Sequence, residues 1–206
     1  MVDTSQYGEA GFIAAHFDGR RTPGRFLDIG AFDGRTNSTT SGLAQEGWSG
    51  VCVEPNPPAF CALMRRYEDN PRITLVNAAV MPYAADQTGL TEFHANTADG
   101  YSADMMSTFS AAHKAKFDGH PYRSIMIPHV SGASLYASVG AVDHPFDFVS
   151  IDVEGLNVEV FHEIPTLPEM LCIELDPHSE VERLVKVHYP HTKIIGGNII
   201  GWRLSK

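Results

Sequence analysis

Two short runs hold most of the residues that could move a proton: Asp152-Val153-Glu154-Gly155 and Glu174-Leu175-Asp176-Pro177-His178. Each follows an apolar stretch with strand character. Alternate strand residues share a face, so Asp152 points with Glu154, and Glu174 with Asp176. A carboxylate or imidazole at a strand end can take the proton of an attacking hydroxyl. Asp152, Glu154 and His178 are therefore the candidate catalytic groups. The bland alternative is that one pair caps the next helix and the other lies in solvent. Asp152, Glu174 and Asp176 could instead hold Mg²⁺, a hard cation that prefers oxygen ligands. Proton chemistry is the favoured reading, and a metal ion the less favoured one.

A second constellation lies earlier, in Phe26-Leu27-Asp28-Ile29-Gly30-Ala31-Phe32-Asp33-Gly34. An apolar strand ends in an acid and enters a turn. Gly30 lets the backbone turn sharply and come close to a ligand, because no Cβ intervenes. Asp28 could bind the loop amides or the ammonium of an amino-acid-like ligand. A dinucleotide site would need glycines two apart to admit a pyrophosphate. Phe32 stands there instead, so the spacing favours a cofactor without phosphates and speaks against a dehydrogenase. Glu54 ends the next strand, where a carboxylate can accept from both hydroxyls of a ribose. Asn77 ends the third and could touch a base or simply form a turn.

These residues need a sheet to hold them at one edge. Apolar strands at 25–29, 50–54, 73–77, 146–153 and 170–175 alternate with helical patterns, which reads as an α/β sheet. The run at 146–153 suits a strand covered on both faces. Helices are expected at 7–17, up to 46, from 58, over 156–164 and over 181–188. Pro57 and Pro58 are tolerated at a helix start, where the first amides are unpaired anyway. The closing segments 193–195 and 199–204 suggest an antiparallel pair turned at Gly196-Gly197-Asn198. The middle, 81–142, is the least regular: strands are expected at 90–94 and 125–130 and a helix at 107–117. His94, His113, His120 and His129 fall in it and read as surface residues. Met105, Met106 and Phe109 could wall a substrate site, and Trp48 and Trp202 read as core.

The composition narrows the partners. The chain has 206 residues, the size of one domain, and nothing divides it. Its formal charge of −10, with no basic stripe, disfavours nucleic acid and other polyanions. No apolar run reaches the length of a membrane span. The polar first residues lack a signal-peptide layout, so the cytoplasm is the expected location. Cys52, Cys61 and Cys172 show no metal-binding spacing, and Cys52 and Cys172 read as buried inert thiols.

Ser5-Gln6-Tyr7-Gly8, FLDIGAFDG, Gly47-Trp48-Ser49-Gly50, VCVEPNP at 51–57 and SIDVEG at 150–155 together resemble the FkbM family of methyltransferases. The order and spacing match over nearly the whole chain. The resemblance implies a Rossmann-like class I methyltransferase fold: an α/β, mostly parallel seven-stranded sheet with helices on both faces and an antiparallel last strand. It implies S-adenosyl-L-methionine as cofactor. Asp28, Gly30 and the following Ala31 and Phe32 would hold its methionine part, with Asp152 at the mouth. Glu54, with Pro55 beside it, would hold the ribose, and Asn77 and Ala78 would lie near the adenine. Ala10 departs from the pattern, which has an acid there.

Family members mostly methylate hydroxyls, so the expected acceptor is a small metabolite, sugar or glycan, or natural product. A small amine is the alternative nucleophile, and a non-catalytic module that binds S-adenosylmethionine is the alternative class.

Overall fold

The computed structural model describes residues 3–82, 89–96, 107–109, 114–115, 119–175 and 180–203. The chain opens with helix Glu9–Phe17 (α1), strand Arg25–Ile29 (β1) and the short helix Ser41–Gln45 (α2). Strand Ser49–Val53 (β2), helix Pro57–Tyr67 (α3) and strand Ile73–Val76 (β3) follow. The middle contributes strands Ala79–Val80 (β4), Gly89–Asn96 (β5) and Tyr122–Val130 (β6), then helix Gly132–Ser138 (α4). Strand Phe148–Ile151 (β7), helix Asn157–His162 (α5), strand Met170–Glu174 (β8) and helix Val181–His188 (α6) come next. Strands His191–Ile195 (β9) and Asn198–Trp202 (β10) close the chain.

Seven strands form the main sheet in the order β3-β2-β1-β7-β8-β10-β9. The pairs among β3, β2, β1, β7 and β8 are parallel, and β10 is antiparallel to both β8 and β9. The last strand is thus the one that runs against the rest, as expected. The chain winds outward from β1 to β3, then returns to β7 and winds the other way. That reversal leaves a crevice at the carboxyl ends of β1 and β7, where open α/β sheets bind ligands.

Strand alternation dresses both faces. Leu27, Ile29, Val51, Val53, Val149, Ile151, Leu171 and Ile173 pack with Leu135 of α4, Val160 of α5 and Leu184 and Val185 of α6. Phe26, Cys52, Phe148, Met170 and Cys172 pack on the other face with Ile13 of α1, Leu43 of α2 and Leu63 of α3. Trp48 is buried there too, while Trp202 is half-buried against Phe12 and His191. Cys52 and Cys172 are buried free thiols, and Cys61 is exposed. Burying one such side chain contributes about 1.5–3 kcal/mol, which fixes the strand ends that carry the polar groups.

The middle section departs from expectation. The strands at 90–94 and 125–130 exist but run longer, and they form a separate three-stranded sheet, β4-β6-β5. Its small core is Ala79, Phe93 and Ile127. The helix expected from 107 does not begin there: Thr108 exchanges backbone hydrogen bonds with His94 at 2.9 and 3.1 Å, which extends the sheet. The opening helix starts at Glu9 rather than Tyr7, because Gly8 at φ +92 interrupts the helical path. Among the described residues no helix is long and apolar enough to cross a membrane.

Candidate active site

Two neighbouring hollows open at the strand ends and share Gly30, Phe32, Asp152 and Glu154. One is polar, lined by Gln6, Asp28, Thr39, Ser150, Glu174 and Asn198. The other is largely apolar, walled by Ile29, Val53, Val80, Phe93 and Phe109, with Glu54 and Asn56 in its lining. Open mouths included, they hold about 850 and 710 Å³. That is room for an elongated ligand with one polar and one apolar half.

The loop between the lobes depends on Gly30. Its φ is +88, and a Cβ there would stand 1.8 Å from the carbonyl oxygen of Asp152. Both facts require glycine. The amides of Gly30 and Ala31 donate to the Val53 carbonyl at 2.9 and 3.1 Å. Phe32 adopts φ +50, unusual for a bulky residue, and its N–H donates to Glu54 Oε2 at 2.8 Å. Glu54 Oε1 accepts from the Asn56 N–H at 2.7 Å. A carboxylate has about four acceptor positions, so Glu54 can accept from hydroxyls as well as from amides.

Asp28 is buried on the face toward α1 and α2, where Thr40 Oγ1 donates to its Oδ2 at 2.6 Å. Burial pushes its carboxyl up to about 6, against the opposing effect of the Thr40 bond. Among the described residues, no Lys or Arg lines either lobe. A buried acid without a cation beside it is ready to receive one.

Three carboxylates meet where the lobes join. Oxygens of Asp152, Glu154 and Glu174 lie within 4.8 Å of one another. Asp152 has accessible surface because the cleft reaches it, yet protein atoms surround it closely on its other sides. That loss of bulk water, then the charges of Glu174 and Glu154, push its carboxyl well above the usual range; a hydrogen bond with Glu174 adds to this. The arrangement can share a proton between Asp152 and Glu174. Its oxygens could also ligate a divalent cation. Glu154 sits at φ +46, and Thr108 Oγ1 donates to its carbonyl at 2.8 Å. Asn157, buried at the head of α5, accepts from the Val153 N–H at 3.0 Å and donates to Glu174 Oε2 at 3.3 Å.

The expected cofactor residues gather as follows. Asp28 and Ala31 line the polar lobe; Gly30, Phe32 and Asp152 line both; Glu54, Pro55 and Ala78 line the apolar one. Asn77 stands behind the wall, its Nδ2 donating to the carbonyls of Glu54 and Pro55 at 2.8 and 3.3 Å. Of the expected catalytic and metal residues, Asp152, Glu154 and Glu174 converge, while Asp176 and His178 lie outside the described residues. So do His113, Met105 and Met106. Phe109 does wall the cleft, its ring tilted at 45° to that of Phe93 with centroids 4.7 Å apart. Ala10 is buried in the interior, but Gln6 reaches the polar lobe. Glu9 helps place it, accepting from Tyr7 N at 2.8 Å and Asn198 Nδ2 at 2.6 Å. Sequence reasoning missed Gln6, Asn56, Thr108, Asn157 and Asn198. The SQYG motif contains Gln6, the VCVEPNP motif contains Asn56 and the closing turn contains Asn198; nothing local marked Thr108 or Asn157.

A sequence-family profile for the methyltransferase FkbM domain matches residues 28–185, most of the chain and every carboxylate of the cleft. The chain belongs to the FkbM methyltransferase family. As an FkbM methyltransferase it uses S-adenosylmethionine. The cleft fits that cofactor: Gly30 leaves space a Cβ would fill, buried Asp28 awaits a cation such as an ammonium, and the apolar lobe suits a flat base.

No curated protein matches the chain in sequence. Among solved structures, monomeric WbdD is 12% identical, with a TM-score of 0.50 over 95% of this chain and 41% of its own. The METTL16 methyltransferase domain is 11% identical, with a TM-score of 0.50 over 95% of this chain and 66% of its own. The chain thus spans less than half of WbdD. At these identities the likeness concerns the fold, a class I methyltransferase sheet.

Proposed function

We propose that this methyltransferase acts on a hydroxyl of a small metabolite, sugar or natural product, with Asp152 as the group that receives the hydroxyl proton. The observation that carries the reading is the meeting of Asp152, Glu154 and Glu174 at the junction of the two lobes. When bound, S-adenosylmethionine supplies a methyl group already activated on a sulfonium, so the chain's own work is alignment, exclusion of water and proton removal.

Asp28 and the Gly30–Phe32 loop hold the methionine half, Glu54 and Pro55 the ribose, and Ala78, backed by Asn77, the base. Asp152 is a stronger base than an ordinary carboxylate, because its raised pKa means it holds a proton more tightly. Glu174 shares that proton, and Glu154 orients the acceptor. With the acids of the cleft and no Lys or Arg among the described residues of its lining, a phosphorylated or carboxylated acceptor would meet like charge. Neutral acceptors fit best. An amine is the second reading, favoured by that same acidic lining.

The test is transfer of labelled methyl from S-adenosylmethionine to a panel of sugars, small alcohols, phenols and amines, with wild type and Asp152→Asn. Labelled ether product from wild type, lost in the variant while S-adenosylhomocysteine still binds, supports the reading. Labelled amine product would replace it with the second. Binding without turnover on any acceptor would make the domain a non-catalytic module.

A further inference from the structure

Asn56 is 3% exposed and lines the apolar lobe, yet neither its Nδ2 nor its Oδ1 has a hydrogen-bond partner. Its backbone is fully used: its N–H donates to Glu54 Oε1 and its carbonyl accepts from Phe60 N at 2.8 Å. The side chain stands at the N-cap of α3, where asparagine normally turns its oxygen onto an amide of the first turn. Here it makes no such bond. Pro57 and Pro58 fill the first helical positions and bring no N–H, so the helix asks little of its cap.

Leaving a buried polar group unpaired costs about 1–3 kcal/mol, and an apolar side chain of similar size would avoid that cost. Buried amides in folded proteins find partners. A partner that arrives with the ligand explains why this one stays.

We propose that Asn56 reads the edge of the cofactor's adenine, accepting from its exocyclic amino group through Oδ1 and donating to the ring nitrogen N7 through Nδ2. One donor beside one acceptor in a plane is the pattern by which an asparagine amide pairs with adenine in nucleic acids. Glu54 can only accept, which suits hydroxyls but leaves a base unread. Val80, Phe93 and Phe109 offer apolar surface to a flat ring rather than partners for its polar edge. Both amide atoms are shielded from water, so pairing involves a turn of the side chain between staggered rotamers. The inference goes beyond the acceptor reading and rests only on the family's cofactor.

The experiment is calorimetric titration of wild type, Asn56→Ala and the near-isosteric Asn56→Leu with S-adenosylhomocysteine and with S-inosylhomocysteine, whose amino group is replaced by a carbonyl. Thermal melts without ligand accompany it. Wild type should prefer the adenosyl compound about tenfold, roughly one lost hydrogen-bonded pair. Both variants should lose about tenfold for it, bind the two compounds nearly alike, and melt no lower than wild type. Variants that keep wild-type affinity, or keep the preference, overturn the proposal. Lower melting with equal loss for both compounds assigns Asn56 a purely structural role and also overturns it. Wild type that fails to bind S-adenosylhomocysteine would overturn the cofactor assignment itself, a result distinct from the others.

Discussion

Asp28 and Glu54 stand at the ends of paired strands, and each is 5% exposed. One faces the polar lobe and the other the apolar lobe. Glu54 receives two backbone amides, from Phe32 and Asn56, whereas the hydrogen bond at Asp28 comes from the Thr40 hydroxyl. Equal burial therefore has unequal consequences. The apolar lobe holds a carboxylate whose charge the backbone already stabilises, so it can present an ordered acceptor to neutral hydroxyls. The polar lobe holds one whose charge is poorly stabilised until a cation arrives. A ligand with a neutral, flat half and a cationic half would find each half anticipated.

The largest effect should come from the residue that divides the lobes. Gly30→Ala drives a methyl group into the Asp152 carbonyl at a backbone conformation that disfavours any side chain. We expect binding of S-adenosylhomocysteine to be lost and the melt to fall by several degrees. An alanine variant that binds normally would show that the lobes do not depend on this close approach.

Next comes the junction. Asp152→Asn should lower turnover by about 10²–10⁴-fold while changing S-adenosylhomocysteine affinity little. In wild type the rate should rise with pH, because the base must first lose the proton that its neighbours help it keep. The apparent pKa belongs to the Asp152–Glu174 pair. A flat profile above the ordinary carboxylate range would remove Asp152 from that role. Activity abolished by a chelator and restored by Mg²⁺ would show instead that a cation, not a shared proton, relieves the three carboxylates.

Paired substitutions at the two acids should act with opposite sign on stability. Asp28 has a folded-state pKa of about 6 against an ordinary value of 3.8. Its protonated form favours the fold below the ordinary value, and that stability is lost as pH rises through 6. At pH 8 the ionised group thus costs the protein roughly 2–3 kcal/mol. Asp28→Asn should raise the melting temperature at pH 8, by roughly 4–10 °C, and weaken S-adenosylhomocysteine about tenfold or more. Wild-type affinity should fall below pH 6, as Asp28 protonates, and the variant should be flat there. Glu54→Gln should destabilise the fold by about 1–3 kcal/mol and so lower the melt, because its NH₂ confronts one of two backbone amides. Two variants that shift stability in the same direction would break the contrast.

What sequence could and could not reveal follows the same division. Strands β1, β2, β7 and β8 were readable because helices cover both faces, which leaves apolar runs ending in acids. Gly30 and Glu54 were readable because their place in the chain, just past a strand, is local. The small sheet was legible only in part: strands at 90–94 and 125–130 were expected, but not their full length or their separation into a second sheet. Its β4 has two residues, and its β6 exposes Met126 and contains Pro128, which blurs the alternation. Helix α4 is seven residues, too short for a clear period, although Ser131 caps it by accepting from the Ser134 N–H. Thr108 and Asn157 act through partners that local patterning does not reveal, and the unpaired burial of Asn56 appears only in the fold. Asp28 was legible as an acid, but its unrelieved charge was not, since that depends on burial across the sheet and on the Thr40 hydroxyl.

The smallest effect tests whether the small sheet merely roofs the cleft or sets its geometry. Thr108 is 1% exposed, tied to His94 of β5 through its backbone and to the Glu154 carbonyl through its hydroxyl. Glu154 holds a backbone conformation that costs about 1–3 kcal/mol for a residue with a side chain. Thr108→Val keeps the shape and removes the hydroxyl, leaving that carbonyl less well bound. A purely structural bond would lower the melt and leave kinetics alone. If the hydroxyl positions the carboxylates, kcat should fall about three- to tenfold with KM for S-adenosylmethionine nearly unchanged. Thr108→Ser, which restores the donor but not the methyl, should recover most of the rate. Recovery by serine but not by valine places the hydrogen bond, rather than packing, behind the geometry at the junction, and makes the small sheet part of the catalytic frame.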